Sequence, residues 1–292
     1  MRNFSKYIFK IIGILILIMC LFDTAYTLIY RNSYPRNKIQ TILYLENKQF
    51  DLAFFGSSRT ENNIDCEVIE KITGKSCINL GMAGASMGDI YYLMKLAKKY
   101  NLQFDQVYLQ LDYNYNHESL ETTPYFKGIL APYHKSLFIK SYIPDFPYKD
   151  NMNLYPFYRY MKNDKVIGFR EIIFSSFNKK AGFNPQNGFV PQHGNGLLIQ
   201  GNLPAKIIKN NMAIEKMKII FPIKTKFNLF TAPYCHLVNN REFIDRLKEQ
   251  EPTLYNFVRI FDKKPKYFSN CGHLNEEGAK EFSKILGKTI SK

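Results

Sequence analysis

The 292-residue chain predicts an α/β domain with a mostly parallel central sheet, carried behind an N-terminal transmembrane helix. Three observations carry that expectation. An uncharged apolar run opens the chain, short apolar runs alternate with amphipathic segments from Asp51 to Leu111, and the alternation resumes after a long irregular stretch. Strand, helix, strand, helix, strand in so short a length is the pattern of βαβ units.

The first element is the apolar helix. Arg2, Lys6 and Lys10 precede an uncharged run from Ile11 to Phe22, Asp23 interrupts, and Thr24 to Tyr30 continues until Arg31. Lys10 and Arg31 bracket 20 residues, close to the roughly 20 that a spanning helix needs. Thr24-Ala25-Tyr26-Thr27 is a poor signal-peptidase site, and Met19 before Cys20 is too large for lipoprotein processing. Residues 1–31 are therefore expected to form a cytoplasmic tail and an uncleaved anchor. The three preceding cations keep the amino end in the cytoplasm and place the body outside, although Arg31, Arg36 and Lys38 pull the other way. Residues 32–50 form a linker with a short helix over Ile39, Ile42 and Leu43.

The body spans residues 51–292. Asp51 to Phe55 is the first strand. Asp65 is positioned to cap a helix over Cys66 to Ile72 that Gly74 ends. Cys77 to Leu80 is the second strand. Ile90, Leu93, Met94 and Ala97 share one helical face. Gln106 to Leu111 is the third strand. Residues 113–211 form an insertion rich in Tyr, Phe, Pro and Asn, with one helical pattern over Asp164 to Phe177. Its aromatics either stack on sugar rings or simply pack over the sheet. Ile214 to Phe221 is helical, Phe227 to Thr231 is a fourth strand, and Asn239 with Glu242 predicts a capping box. Tyr255 to Phe261 is a fifth strand, and Glu276 to Leu286 closes the domain as a helix.

Composition narrows the function. The formal charge of +15 is spread along the chain, which suits anionic partners or a solvated basic surface. A nucleic-acid role has the charge but no reading motif, and the anchor places the body in the wrong compartment. Cys66, Cys77, Cys235 and Cys271 contain no C-x-x-C pair, so no zinc or redox motif is predicted. No metal ligand cluster and no cofactor motif are visible. Cys77, inside an apolar run, is expected as a buried free thiol.

Parallel sheets place ligands outside the carboxyl ends of their strands. Here the first strand ends in Gly56-Ser57-Ser58-Arg59, the second leads to Asn79–Ser86, and the third ends in Leu111-Asp112-Tyr113-Asn114. Near the carboxyl terminus stands Ser269-Asn270-Cys271-Gly272-His273-Leu274-Asn275. His117, His134, His193 and His236 have no comparable setting. Cys235 and Cys271 both follow strands on this edge, so they either bridge or remain free.

These blocks together resemble the SGNH or GDSL-like hydrolase superfamily, and more closely its membrane-anchored cell-envelope branch, whose opening block reads G-S-S. The resemblance implies a three-layer α/β/α sandwich of flavodoxin-like type. It puts Ser58 at the nucleophile position and His273 at the base. It implies an oxyanion hole from the amides of Ser58 and Gly84 and the side chain of Asn114. The third block matches loosely, since Asp112 replaces the family's glycine and Tyr115 its final aspartate. In the fourth, His273, Leu274, Asn275 and Gly278 match, but Asn270 occupies the position of the catalytic aspartate. Asp262, Glu276 or Glu277 is then the candidate substitute. Ser57 is expected to stabilise the turn. Arg59 is expected either to hold an anionic substrate or to pair with a surface carboxylate.

The implied activity is an extracytoplasmic serine esterase or O-acyltransferase acting on ester groups of cell-envelope or exported glycans. The alternative is a catalytically impaired glycan-binding or assembly protein on the same fold, which Asn270 favours. Either way the implied partners are a membrane and an envelope glycan or acylated carbohydrate, with no nucleic acid.

Overall fold

The computed structural model describes residues 2–133, 155–198 and 201–291. His134 and the aromatic stretch at residues 141–150 lie outside the described residues. The chain divides into two compact units, Met1–Gln40 with Pro124–Lys180, and Thr41–Thr123 with Ala181–Lys292.

The first unit is helical. Helix α1 spans Arg2–Asn32, 31 residues, or about 46 Å at 1.5 Å per residue. It is long and apolar enough to cross a membrane, with a mean hydropathy of 2.3 in its most apolar window. Its side chains are exposed from Asn3 to Phe22 apart from half-buried Met19, and burial begins at Asp23. Helices α6 (Pro124–Leu130), α7 (Tyr158–Lys162), α8 (Asp164–Ile167) and α9 (Phe169–Ser176) complete the unit. Asp23 accepts from Arg159 at 3.0 Å and from the Phe157 amide at 3.0 Å, both charged side chains being buried. The tyrosine of α7 adds a 2.6 Å bond between Tyr160 and Thr27. The apparent interruption at Asp23 is therefore where α1 enters its own folded unit. The single helix expected over Asp164 to Phe177 is broken at Gly168, whose ψ of −172° leaves the helical region.

The second unit is the α/β body. Helix α2 (Lys38–Tyr44) leads into it. Strands β1 (Gln49–Phe55), β2 (Cys77–Asn79), β3 (Gln103–Gln110), β4 (Lys226–Thr231) and β5 (Tyr255–Asn256) form one parallel sheet in the order β2-β1-β3-β4-β5. That order is doubly wound, with the switch point between β1 and β3. The register pairs Phe54 with Tyr108 and Tyr108 with Asn228. The rings of Phe54 and Tyr108 stack at 5.0 Å, and Phe230 meets Phe54 edge-on at 5.8 Å. β1, β3 and β4 all become buried toward their carboxyl ends, so that edge is roofed by the loops that follow it.

Local chemistry sets the helices. In α4 (Cys66–Thr73) the Asp65 carboxylate accepts from the amides of Glu67 and Val68, and Gly74 at φ 67° ends the helix. Helix α5 (Met87–Lys99) starts with a Ser86–Asp89 capping box and ends on Lys98 and Lys99, which complement its dipole. The last helix, α12 (Glu276–Ile290), is capped by Asn275 and packs against α4, with Ser283 Oγ accepting from the Asp65 amide at 2.8 Å.

Several expectations need correcting. Cys77 is not free: it bridges to Cys66 with Cα atoms 5.2 Å apart, because β2 begins beside the first turn of α4. Of the two states left open for Cys235 and Cys271, the bridge is the one present, with Cα atoms 4.7 Å apart, and needs no correction. Helix α10 covers Met212–Lys218 and stops short of Phe221. Helix α11 (Glu242–Gln250) is entered through Arg241 with no side-chain cap, while Asn240 sits at φ 60°. The Asn239 capping box therefore does not form. The fifth strand ends at Asn256, and Phe257, Val258 and Phe261 are buried in turns. An apolar run marked burial there, not extension. The same region holds a two-stranded antiparallel hairpin that the sequence did not announce, β6 (Phe268–Asn270) with β7 (His273–Leu274), pairing Asn270 with His273.

Candidate functional site

The switch-point edge gathers the polar groups. Directly after β1 the chain turns at Gly56 into the four-residue helix α3 (Ser58–Glu61). Gly56 is needed for space: a Cβ there would sit 2.8 Å from the Gln110 Cβ and collide with the Thr60 hydroxyl. Ser57 caps α3, accepting from the Arg59 amide, and its hydroxyl donates to Gln110 Oε1 at 3.3 Å. Ser58 is the first helical residue, so its N–H has no acceptor within the helix.

Ser58 Oγ lies 2.7 Å from His273 Nε2, although 215 residues separate them. On the other side of the ring, His273 Nδ1 lies 3.0 Å from Asn270 Oδ1. The same oxygen accepts from the Gly272 amide at 2.9 Å. A backbone N–H can only donate, so it fixes which end of the Asn270 amide faces the ring. An oxygen facing Nδ1 requires the proton on Nδ1 and leaves the Nε2 lone pair toward Ser58. Burial, and then the Arg59 cation, lower the His273 pKa to about 4. The ring is neutral at pH 7, and its protonated form has no anionic partner among the described residues.

Among the described residues, none of the three candidate carboxylates takes the place that Asn270 leaves. Asp262 pairs with Arg241, Glu276 with Lys280 at 2.7 Å, and Glu277 with Lys266 at 2.9 Å.

Arg59 is almost fully buried and is held by protein groups. Its guanidinium donates to the carbonyls of Gly272, Ala232 (2.7 Å) and Pro233 (3.0 Å). Its Nε lies 2.9 Å from Asp112 Oδ2, and its plane sits 3.5 Å from the centre of the Tyr234 ring. Of the two roles expected for it, the carboxylate partner is the one present, in the interior instead of at the surface. Asp112 also accepts from Gln110 at 2.7 Å and from the Tyr234 hydroxyl at 3.2 Å. Burial pushes the Tyr234 phenol well above its usual range, so it stays a donor.

A cavity of about 260 Å³ opens over Ser58 and His273, walled by Tyr113, Leu203, Tyr234 and Val238. Gly84 and Asn114 are not among its lining residues. Gly84 adopts φ 69° in an exposed loop whose Met82 amide bonds Gly56 O at 3.0 Å. Asn114 is buried, and its Oδ1 accepts from the Asp112 amide at 2.9 Å. Its Nδ2 is a buried donor with no hydrogen-bond partner among the described residues. Sequence reasoning missed Tyr234 altogether and treated Asp112 only as a mismatch. A lone aspartate closing an apolar strand was the available signal for Asp112, while nothing local marked Tyr234.

No family model matches the chain, and no curated protein matches it. Among solved structures it is similar to one described as a putative platelet activating factor from Streptococcus pneumonia. That likeness has 13% identity and a TM-score of 0.35, covering 98% of this chain and 99% of that one. An overlap this loose transfers no residue role.

Proposed function

We propose that this chain is an SGNH-type serine esterase or O-acyltransferase, anchored by α1, with its body outside the cytoplasm. In this reading it acts on ester groups of cell-envelope or exported glycans. The observation that carries the reading is the 2.7 Å contact between Ser58 Oγ and the unprotonated nitrogen of His273. A serine hydroxyl is a weak nucleophile until a base takes its proton, and a neutral, oriented imidazole is such a base. Two disulfides suit an oxidising compartment, and Arg2, Lys6 and Lys10 in the first turns of α1 suit an amino end held in the cytoplasm.

In this reading the steps start from the Ser58–His273 pair. Ser58 Oγ attacks the acyl carbon while His273 Nε2 takes the hydroxyl proton. Charge on the acyl oxygen is received by the Ser58 amide; Gly84 N–H and Asn114 Nδ2 are the further donors that the resemblance implies, and neither lines the cavity. Each such donor is typically worth about 10²–10³ in rate. The protonated His273 then gives its proton to the departing sugar oxygen, leaving an acyl group on Ser58. Water or a second sugar hydroxyl, deprotonated by the same ring, completes hydrolysis or transfer.

Asn270 makes this a slow machine. In a serine protease, exchanging the triad carboxylate for an amide costs about 10⁴ in turnover, through the wrong tautomer. Here the Gly272 amide holds Asn270 with its oxygen toward the ring, so the tautomer is retained and the charge alone is lost. A second reading, a glycan-binding or assembly protein without turnover, draws on that missing charge and on a ring that resists protonation. Covalent labelling with a serine-directed fluorophosphonate separates the two. The enzyme reading expects one label, lost in Ser58→Ala; no label on the native chain refutes it.

A further inference from the structure

We propose that Arg59 is a positioning residue that clamps the β6–β7 hairpin to the end of β4 and thereby sets His273 over Ser58. The proposal rests on the hydrolase or acyltransferase reading above. Arg59 directly follows the nucleophile, and Gly272, whose carbonyl it grips, directly precedes the base. Through Ala232 and Pro233 the same guanidinium holds the segment leaving β4. One planar group therefore touches the exits of β1, β3 and β4 and the hairpin that carries His273.

The hairpin needs such a clamp. It has two paired positions, Phe268 with Leu274 and Asn270 with His273, and a ribbon that short is not stable alone in water. Among the described residues three links tie it to the segment after β4: the Cys235–Cys271 bridge, the bond from Cys235 N–H to Cys271 O at 3.1 Å, and the Arg59 fork. The bridge fixes Cys271, two residues before the base. Arg59 fixes the peptide carbonyl adjoining it.

Arginine suits the task through its geometry. Its donors form a rigid planar fork that can serve several acceptors at once, whereas a lysine presents a single nitrogen. The fork is itself held in register, with Asp112 beside Nε and the Tyr234 ring against its face. Asp112 is in turn fixed by Gln110 and Tyr234. With its fork engaged in this way, Arg59 is poorly placed to bind a substrate anion.

The test uses the full chain in detergent with two variants, Arg59→Lys and the double variant Arg59→Gln with Asp112→Asn. The first keeps the charge and loses the fork; the second removes both buried charges together. Among the described residues, the titratable and charged groups at the His273 cavity are Arg59, Tyr113 and Tyr234, with Asp112 behind Arg59. The readouts are the rate of fluorophosphonate labelling at Ser58 across pH and the ring ¹⁵N shifts of His273. Misplacement of a reacting group by about 1 Å costs roughly 10²-fold, so labelling in both variants should fall by about that factor. The His273 ring should pass from one tautomer to an average of two as its bond to Asn270 loosens. In the double variant the ring should also titrate at higher pH, since the cation is gone. Native labelling rates and an unchanged ring in a folded variant would overturn the proposal. If the native chain takes no label, the enzyme reading falls, and the clamp is still decided by the ring: averaged tautomers in Arg59→Lys support it, and native shifts overturn it.

Discussion

Replacing Asn270 by aspartate puts back the charge that the ring lacks, and the structure sets the size of the effect. The donor and acceptor stand 3.0 Å apart, which places the centres of an imidazolium and a carboxylate about 4 Å apart. At an effective dielectric constant near 20, that pair attracts by about 4 kcal/mol, or about 3 pKa units. His273 would then titrate near 7 instead of about 4. If half of the attraction is realised as the proton moves in the transition state, the barrier falls by about 2 kcal/mol, a gain of roughly 30-fold. The Gly272 amide that now orients Asn270 would bond the new carboxylate as well. The assay is hydrolysis of a small activated ester by native chain, Asn270→Asp, and Asn270→Asp with Ser58→Ala. It is run near pH 8, where both native and variant rings are neutral. The expected result is a rise of at least tenfold that Ser58→Ala abolishes, with the acid limb of the pH profile moved upward. A folded Asn270→Asp chain that shows no rise over a slow native rate would refute the reasoning.

Other consequences can be checked by unfolding. The folded His273 pKa lies below its unfolded value of 6.5, so the unfolded chain binds the proton first. Stability should fall as pH drops from about 6.5 to 4, by about 3 kcal/mol, and His273→Gln should remove that part of the slope in urea titrations. The Cys235–Cys271 bridge joins residues 36 apart, so Cys271→Ser should cost about 4 kcal/mol by chain entropy, measured as a lower urea midpoint. Peptide mapping of the native chain should find Cys235 and Cys271 in one bridged fragment. Asp23→Ala would leave Arg159 buried without its carboxylate, a loss of about 3–5 kcal/mol. Asp23→Leu with Arg159→Met should recover most of it in thermal unfolding of the detergent-solubilised chain.

The sequence alone determined whatever is settled within a turn or two of chain. The strands of β1 and β3, the Asp65 cap with Gly74, the amphipathic face of α5 and the apolar length of α1 all arise from neighbours in sequence. They were legible for that reason. Ser58, His273 and Asn270 were pointed to only by the resemblance of four separate blocks, taken together, to one superfamily. What the sequence could not supply was any relation between distant segments. The contact between Ser58 and His273 depends on how β1 and the β6–β7 hairpin are brought to one edge. The hairpin itself is too short to leave a period in the sequence. From sequence Arg59 is expected to hold an anionic substrate or to pair with a surface carboxylate, and a guanidinium is costly to bury. Only the tertiary structure assembles Asp112, the carbonyls beyond β4 and the Tyr234 ring into a setting that offsets that cost. Cys77 was misjudged for the same reason, since its partner is set by how α4 lies beside β2. Asp23, an interruption in the apolar run, became an anchor point once the fold delivered Arg159 to it.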